Sequence, residues 1–129
     1  QLVSGVENQY AVKWSLIICD FYAIGYGNMS RLFTSATGWN VSEDELKLIG
    51  ERIWNLTRLI NVREGFTRKD DRLPERISTN PLPEGKAKGH TLKQEDFGKM
   101  LDEYYKLRGW DREGRPTEEK LKQLGLAYE

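Results

Sequence analysis

Val41 to Gly65, VSEDELKLIGERIWNLTRLINVREG, reads as one long helix with both ends marked, and the rest of the chain is organised around it. Ser42 is a good N-cap, because its hydroxyl can accept from a free amide of the first turn. Glu45 follows three residues on and can reach back to the cap's own amide, which makes a capping box. Val41 and Leu46 stand where a hydrophobic staple would form. Glu43, Asp44 and Glu45 place negative charge at the positive end of the helix dipole. Ile49, Ile53, Leu56 and Ile60 recur at helical spacing and predict a buried apolar face. Leu48, Trp54 and Leu59 widen that stripe, so more than one neighbour is expected to pack here. Lys47, Glu51, Asn55 and Arg58 hold the opposite face for water or a polar partner. Gly65 supplies a left-handed stop.

Working outward, Val6 to about Leu16 is compatible with a short helix, its apolar face formed by Val6, Tyr10, Ala11 and Trp14. The run Leu16-Ile-Ile-Cys19 is apolar throughout and is expected to be buried. Gly25 and Gly27 then suggest a sharp turn or a close backbone approach. Asn28 is the expected cap of a helix over Met29 to Ala36, with Leu32 and Phe33 inward and Gly38 as its stop. Downstream of Gly65, Phe66 to His90 holds Pro74, Pro81, Pro83, Gly85 and Gly89, and no amphipathic period survives across it. Loops of that length are uncommon in compact domains unless they bind or wrap something. The spaced apolar residues Phe66, Leu73, Ile77 and Leu82 favour a wrapping segment over a solvated linker. Thr91 and Gln94 suggest a second capping box, opening a helix with Phe97, Met100, Leu101 and Tyr104 inward and Gly109 as its end. Thr117 caps a last helix, with Leu121 and Leu124 inward and Gly125 as its stop. The fold class read from these elements is all-α, multihelical, with one long central helix and one long wrapping loop.

Composition narrows the function. The chain has 129 residues, enough for one domain with a real core, and its 20 basic and 20 acidic side chains cancel. Without a basic excess there is no field to favour nucleic acid or an anionic membrane. No apolar run approaches the roughly 20 residues that span a bilayer. The single cysteine excludes an internal disulfide and fits a reducing, cytoplasmic compartment. The opening residues lack a signal-peptide pattern and a methionine, so a processed product or a piece of something longer is expected.

Catalytic constellations are scarce. His90, the lone histidine, lies in a Gly/Pro-flanked loop with no ligand at metal spacing and reads as a surface residue. Asp70 and Asp71, among Arg68, Lys69 and Arg72, read as a solvated mixed-charge run. Asp102 and Glu103 are adjacent on a helix and point apart, so they are no carboxylate pair. Tyr104, Tyr105 and Trp110 read as core and core rim. Cys19, in its apolar run, reads on physics alone as an inert buried thiol.

Four blocks change the weight given to Cys19. The segments NLTRLINVREGFTRKDDRLPERI, PLPEGKAKG, DFGKMLDEYYKLRGWDREGRPTEEKL and LGL resemble, in order and spacing, the C-terminal end of the tungsten-containing aldehyde:ferredoxin oxidoreductases. The resemblance runs from Ala11 to Tyr128, so residues 1–129 would be the C-terminal helical domain of such an enzyme. It implies oxidation of an aldehyde to a carboxylic acid, with water as the oxygen source. It also implies electron flow from tungsten (or molybdenum) held by two molybdopterins, through a 4Fe–4S cluster, to ferredoxin. Three cluster cysteines lie upstream in the family, and the fourth is a lone Cys in an Asp-x-x-Gly-Leu-Cys pattern. The matching stretch here is Trp14-Ser-Leu-Ile-Ile-Cys19, so the resemblance makes Cys19 the fourth cluster ligand.

The same turn carries pterin contacts in the family. The resemblance implies one at Ile18, through the backbone, and one at Trp14, where an indole that cannot accept a hydrogen bond replaces the family carboxylate. Ile17 and Ile18 stand where the family has Gly-Leu. The implied partners are the upstream domains of the same chain, ferredoxin and a small aldehyde. The piece alone is expected to be inactive, to bind no cofactor, and to self-associate through apolar surface meant for missing domains. The rival reading is a helical scaffold or interaction domain of the same ancestry without redox function.

Overall fold

A computed structural model describes residues 2–126. Six helices follow one another: α1 (Leu2–Ser15), α2 (Tyr26–Thr37), α3 (Glu43–Arg63), α4 (Arg76–Thr79), α5 (Gln94–Arg108) and α6 (Glu118–Leu124). Among the described residues the sole β-type pairing is an isolated bridge between Trp110 and Pro116. The all-α expectation holds, and α3 is its axis, packing against α1, α2 and α6.

The ends of α3 form as the sequence predicts. The Ser42 hydroxyl accepts from the Glu45 amide at 3.2 Å, and the Glu45 carboxylate accepts from the Ser42 amide at 2.8 Å. Past the helix, Gly65 adopts φ 93°. Its faces, however, depart from the expectation in part: Lys47 is exposed and Ile53, Trp54 and Leu59 are half-buried, as fits the pattern, but other positions are exchanged. Leu46, Gly50, Asn55 and Arg58 are buried, whereas Leu48, Ile49, Leu56 and Ile60 are exposed. The polar face turns inward because its neighbours are polar. Asn55, 0% exposed, donates to the Glu51 carbonyl at 2.9 Å and accepts from the Trp110 indole at 2.8 Å. Glu51 pairs with Lys120 of α6 at 2.5 Å. Gly50 lets α1 approach so closely that an added Cβ would overlap the Asn8 carbonyl.

Arg58 is the larger departure. Its guanidinium reaches Asp71 through two hydrogen bonds of 2.9 and 2.6 Å and donates to the Gly114 carbonyl at 2.7 Å. It also lies 4.9 Å from the Trp110 ring centroid. Burial alone would penalise its charge, but Asp71 outweighs that and the pKa rises. Asp71 is therefore not part of a solvated run: it accepts from Arg58 and from the Tyr105 hydroxyl and ties the segment after Gly65 to α3 and α5.

α1 starts earlier than its apolar pattern, because α5 holds its first turns. Arg108, 1% exposed, donates to Asn8 at 2.6 Å, to Glu7 at 2.5 Å and to the Ser4 carbonyl at 3.2 Å. The second helix also starts early, at Tyr26 with Gly25 as N-cap. Asn28 does not cap it; its side chain accepts from Arg31. Met29 is the inward residue, in a core with Val12, Ile24 and Leu46, while Leu32 is exposed and Phe33 half-buried. α5 starts at Gln94 without the predicted box, since Gln94 instead donates to the Ser78 hydroxyl at 3.3 Å. Met100 faces outward, and Tyr105 and Arg108 are the buried positions. α6 follows expectation, with Thr117 as cap and Gly38, Gly109 and Gly125 each closing a helix in the left-handed region.

The segment 66–90 folds back on itself. Leu82 and Gly89 bond through the Leu82 carbonyl at 2.8 Å, and Leu82 N donates to the His90 carbonyl at 3.1 Å. Phe66, Leu73, Ile77 and Leu82 are all exposed, so these four residues are not anchored into the helices of this chain. His90 is exposed, as expected.

Candidate functional site

The turn that carries Cys19 is built by the end of α1. Ile17 N donates to the Trp14 carbonyl at 3.0 Å and Ile18 N to the Lys13 carbonyl at 3.1 Å. This pair of bonds is a Schellman closure, whose hinge residue must be left-handed. That residue is Ile17, at φ 56°, and it is the sole non-glycine with positive φ among the described residues. A β-branched side chain there is strained by about 1–2 kcal/mol. Strain of this kind gathers where the surroundings over-determine a backbone for function. Glycine would adopt this geometry freely.

The apolar run is not buried as a block. Leu16 and Ile18 pack against the core of Val12, Ile24, Met29 and Leu46, whereas Ile17 is 93% exposed and Cys19 is exposed. The physical reason is the left-handed hinge, which sends alternate residues outward. Phe21, 100% exposed, and Tyr22 follow Cys19 closely in the chain and are exposed like Ile17. Cys19 is therefore not the inert buried thiol of the physics-only reading.

Three bonds hold the turn's far side. Lys13 Nζ donates to the Asp20 carbonyl at 2.6 Å. Trp14 Nε1 donates to the Asp20 carboxylate at 2.7 Å. Tyr22 N donates to the Cys19 carbonyl at 3.1 Å. Trp14 also meets Tyr10 edge-on at 5.5 Å, and Lys13 lies 4.9 Å from the same ring's centroid. The structure thus brings Trp14, Ile18 and Cys19 together on one turn. Sequence reasoning missed Lys13 and Asp20; a lysine on the helix's apolar side, one residue from Trp14, was the available signal.

Among the described residues no group of three or more His, Cys, Asp or Glu could hold a metal ion. One outward thiol on a braced turn fits a cluster completed by three thiolates from elsewhere.

The fold and the turn define an all-α domain that exposes a single thiol and broad apolar helix faces. Residues 1–126 match the family model described as aldehyde ferredoxin oxidoreductase, domains 2 & 3. The tungsten-containing aldehyde ferredoxin oxidoreductase of Pyrococcus horikoshii is 46% identical over 112 residues, covering 84% of this chain and 18% of that protein. An aliphatic sulfonate oxidoreductase WOR-like subunit from Pyrococcus furiosus is 34% identical over 119 residues, covering 87% of this chain and 19% of that one. The chain's fold is shared by the active-site complex BamBC of benzoyl coenzyme A reductase with 1,5 dienoyl-CoA, at TM-score 0.78 and 26% identity over 97% of this chain and 18% of that one. The chain belongs to the aldehyde ferredoxin oxidoreductase family. It spans about a fifth of the length of the curated relatives it matches.

Proposed function

We propose that this chain is the C-terminal helical part of an oxidoreductase that converts an aldehyde and water into a carboxylic acid, releasing an electron pair to ferredoxin. In that reading Cys19 is the fourth ligand of a 4Fe–4S cluster whose other three thiolates lie upstream. The observation that carries it is the Cys19 thiol itself, exposed on a turn whose hinge, Ile17, is left-handed. An exposed thiol in a stretch that also exposes Ile17, Phe21 and Tyr22 fits a surface that another part of the protein covers. Burial under such a cover would exclude water from the thiolate and so tune the cluster.

When bound, a tungsten (or molybdenum) bis-molybdopterin would supply the two-electron oxidation chemistry. This chain's part would be to shape the wall beside it. The Ile18 N–H is engaged with the Lys13 carbonyl, so the Ile18 carbonyl is the group left for a backbone contact to the pterin. Trp14 offers no acceptor, and its one donor is engaged with Asp20. The exposed faces of α3 and of segment 66–90 would dock on upstream domains. Among the described residues no helix is long and apolar enough to cross a membrane, and the charge balance gives no footing for nucleic acid; a cytoplasmic enzyme agrees with both.

The test uses the full-length protein, purified without oxygen, beside Cys19→Ser. Iron, tungsten and molybdenum are counted, and the paramagnetic resonance spectrum is recorded after reduction. About four irons per chain, with a cubane signal lost or altered in Cys19→Ser, is the expected result. A protein that holds no iron after anaerobic reconstitution would overturn it and leave a redox-inactive helical scaffold of the same ancestry, the reading that the missing carboxylate at Trp14 favours.

A further inference from the structure

Tyr104, Tyr105 and Trp110 pack together, but packing asks for rings and not for hydroxyls. A buried phenol is costly unless it is bonded, and both of these donate to a carboxylate. Tyr104 donates to Glu7 at 2.7 Å, and Tyr105 donates to Asp71. The side chains also touch in series. Trp54 Nε1 donates to the Tyr104 hydroxyl at 2.8 Å. The Trp110 ring centroid lies 5.6 Å from that of each tyrosine. Four oxidisable side chains thus form one continuous path along the wall of one open cleft. Trp54 and Tyr104 are half-buried, whereas Trp110 is 9% and Tyr105 2% exposed.

We propose that these four residues are a one-electron relay that ends in a radical on Tyr105, a sink for strong oxidants that strike the protein. A one-electron oxidant at the cleft, such as a radical derived from oxygen, takes one electron and is itself reduced. The hole passes from Trp54 or Tyr104 through Trp110 to Tyr105. The Tyr105 O–H bond breaks, its proton moves along the hydrogen bond to Asp71, and a new O–H bond forms there. What remains is a neutral tyrosyl radical beside a protonated carboxyl. A one-electron-oxidised phenol is a far stronger acid than the phenol itself, so a carboxylate already in contact is base enough. Trp110 has no such base, because its N–H meets the Asn55 amide oxygen. It passes the hole on and does not keep it. Burial then shelters the Tyr105 radical from solvent.

The same surroundings set a threshold. The Arg58, Arg68 and Arg108 guanidiniums lie 4.9 to 5.9 Å from the ring centroids of this path. Each disfavours added positive charge. Protonating Asp71 also removes the counter-charge of Arg58. The relay is therefore closed to mild electron carriers and opens to strong oxidants only. It stands apart from the role proposed for Cys19.

The full-length protein is purified without oxygen and oxidised by a light flash with ruthenium tris-bipyridyl and a sacrificial cobalt(III) acceptor. Transient absorption follows the tyrosyl band. Freeze-quenched samples grown with ring-deuterated tyrosine identify the radical by paramagnetic resonance. Tyr105→Phe, Asp71→Asn, Trp110→Phe and Tyr26→Phe stand beside the parent. A tyrosyl signal that outlives the flash is expected in the parent, and it should fall several-fold in Tyr105→Phe and Asp71→Asn. Trp110→Phe should slow its rise several-fold. Tyr26→Phe removes a half-buried phenol that donates to no carboxylate among the described residues, and should keep the parent's signal. A parent-like signal in Tyr105→Phe or Asp71→Asn would overturn the sink, as would an equal fall in Tyr26→Phe. A parent-like rise in Trp110→Phe would overturn the path. Asp71→Asn also breaks the pair with Arg58. Should it fail to fold, Tyr105→Phe decides alone, because it removes one hydroxyl and leaves the ring in place.

Discussion

Gly50 on α3 lies against the main chain of Asn8 on α1, with no room for a Cβ between them. Every larger residue would push the two helices apart, and α1 with α3 is the most extensive helix pair in the fold. Glycine inside a helix costs about 1 kcal/mol relative to alanine, so the contact must return more than that. Gly50→Ala is therefore expected to lose stability in spite of its better propensity, by about 1–3 kcal/mol net of overpacking. Gly98→Ala on α5, where a Cβ meets nothing, should instead gain up to about 1 kcal/mol. Denaturant midpoints of the two variants check the pair, and a gain in both would refute the close-approach argument.

Ile17 supplies the second prediction. Its side chain is almost wholly exposed, so removing it forfeits little burial, while its backbone is left-handed. Ile17→Gly should stabilise the chain by about 1 kcal/mol, the relief of the αL strain being partly offset by a freer unfolded state. Thermal unfolding would show a raised midpoint. A lowered one would mean that Ile17 earns its place through contacts inside this chain.

How far the sequence could be read differs by element. The ends of α3, the cap at Thr117 and the stops at Gly38, Gly109 and Gly125 were legible, because caps depend on local chemistry. The facing of α3 was not. Ile49, Leu56 and Ile60 obey the apolar period, but period names a face and not its partner. Asn55 and Arg58 went inward because Trp110, Gly114 and Asp71, 13 to 56 positions away, complete their hydrogen bonds. At the candidate site the resemblance located Cys19, while the exposure of its thiol needed the left-handed turn at Ile17. Nothing local in the sequence announces that turn, since isoleucine rarely adopts it.

The buried phenols predict a pH dependence. Burial, then a hydrogen bond donated to the Glu7 carboxylate, pushes Tyr104 from 10.0 up to about 12. Burial and the Asp71 carboxylate push Tyr105 up as well. Above pH about 10 the unfolded chain releases these protons while the folded one keeps them, so the unfolded state binds fewer protons and stability falls as pH rises. The contribution is whole below about pH 10 and is lost by way of Tyr104 toward about pH 12. Denaturant midpoints across that window should fall, and Tyr104→Phe should flatten the slope. An equal slope in that variant would remove Tyr104 from the account.

The exchanged positions on α3 give the last prediction, because there sequence polarity is set against structure. A reader of the pattern alone would put charge at Asn55 without concern and would protect Leu56 and Ile60. The structure says the opposite. Leu56 is 48% exposed and Ile60 45%, and substitutions at exposed positions of this sort usually stay within about 0.5 kcal/mol. Leu56→Lys with Ile60→Glu should thus leave the unfolding midpoint of this chain almost unchanged. The same pair should lower any self-association of the chain in sedimentation, since it breaks the exposed apolar stripe. Asn55→Leu adds apolar volume to the buried face and should be worse by about 1–3 kcal/mol, because it leaves the Trp110 indole N–H buried without an acceptor. If the proposed upstream domains dock on this face, the ranking should change in the longer protein: the Leu56 and Ile60 pair would then lower the yield of assembled protein. A double variant that unfolds this chain would show that α3 buries its apolar stripe here after all.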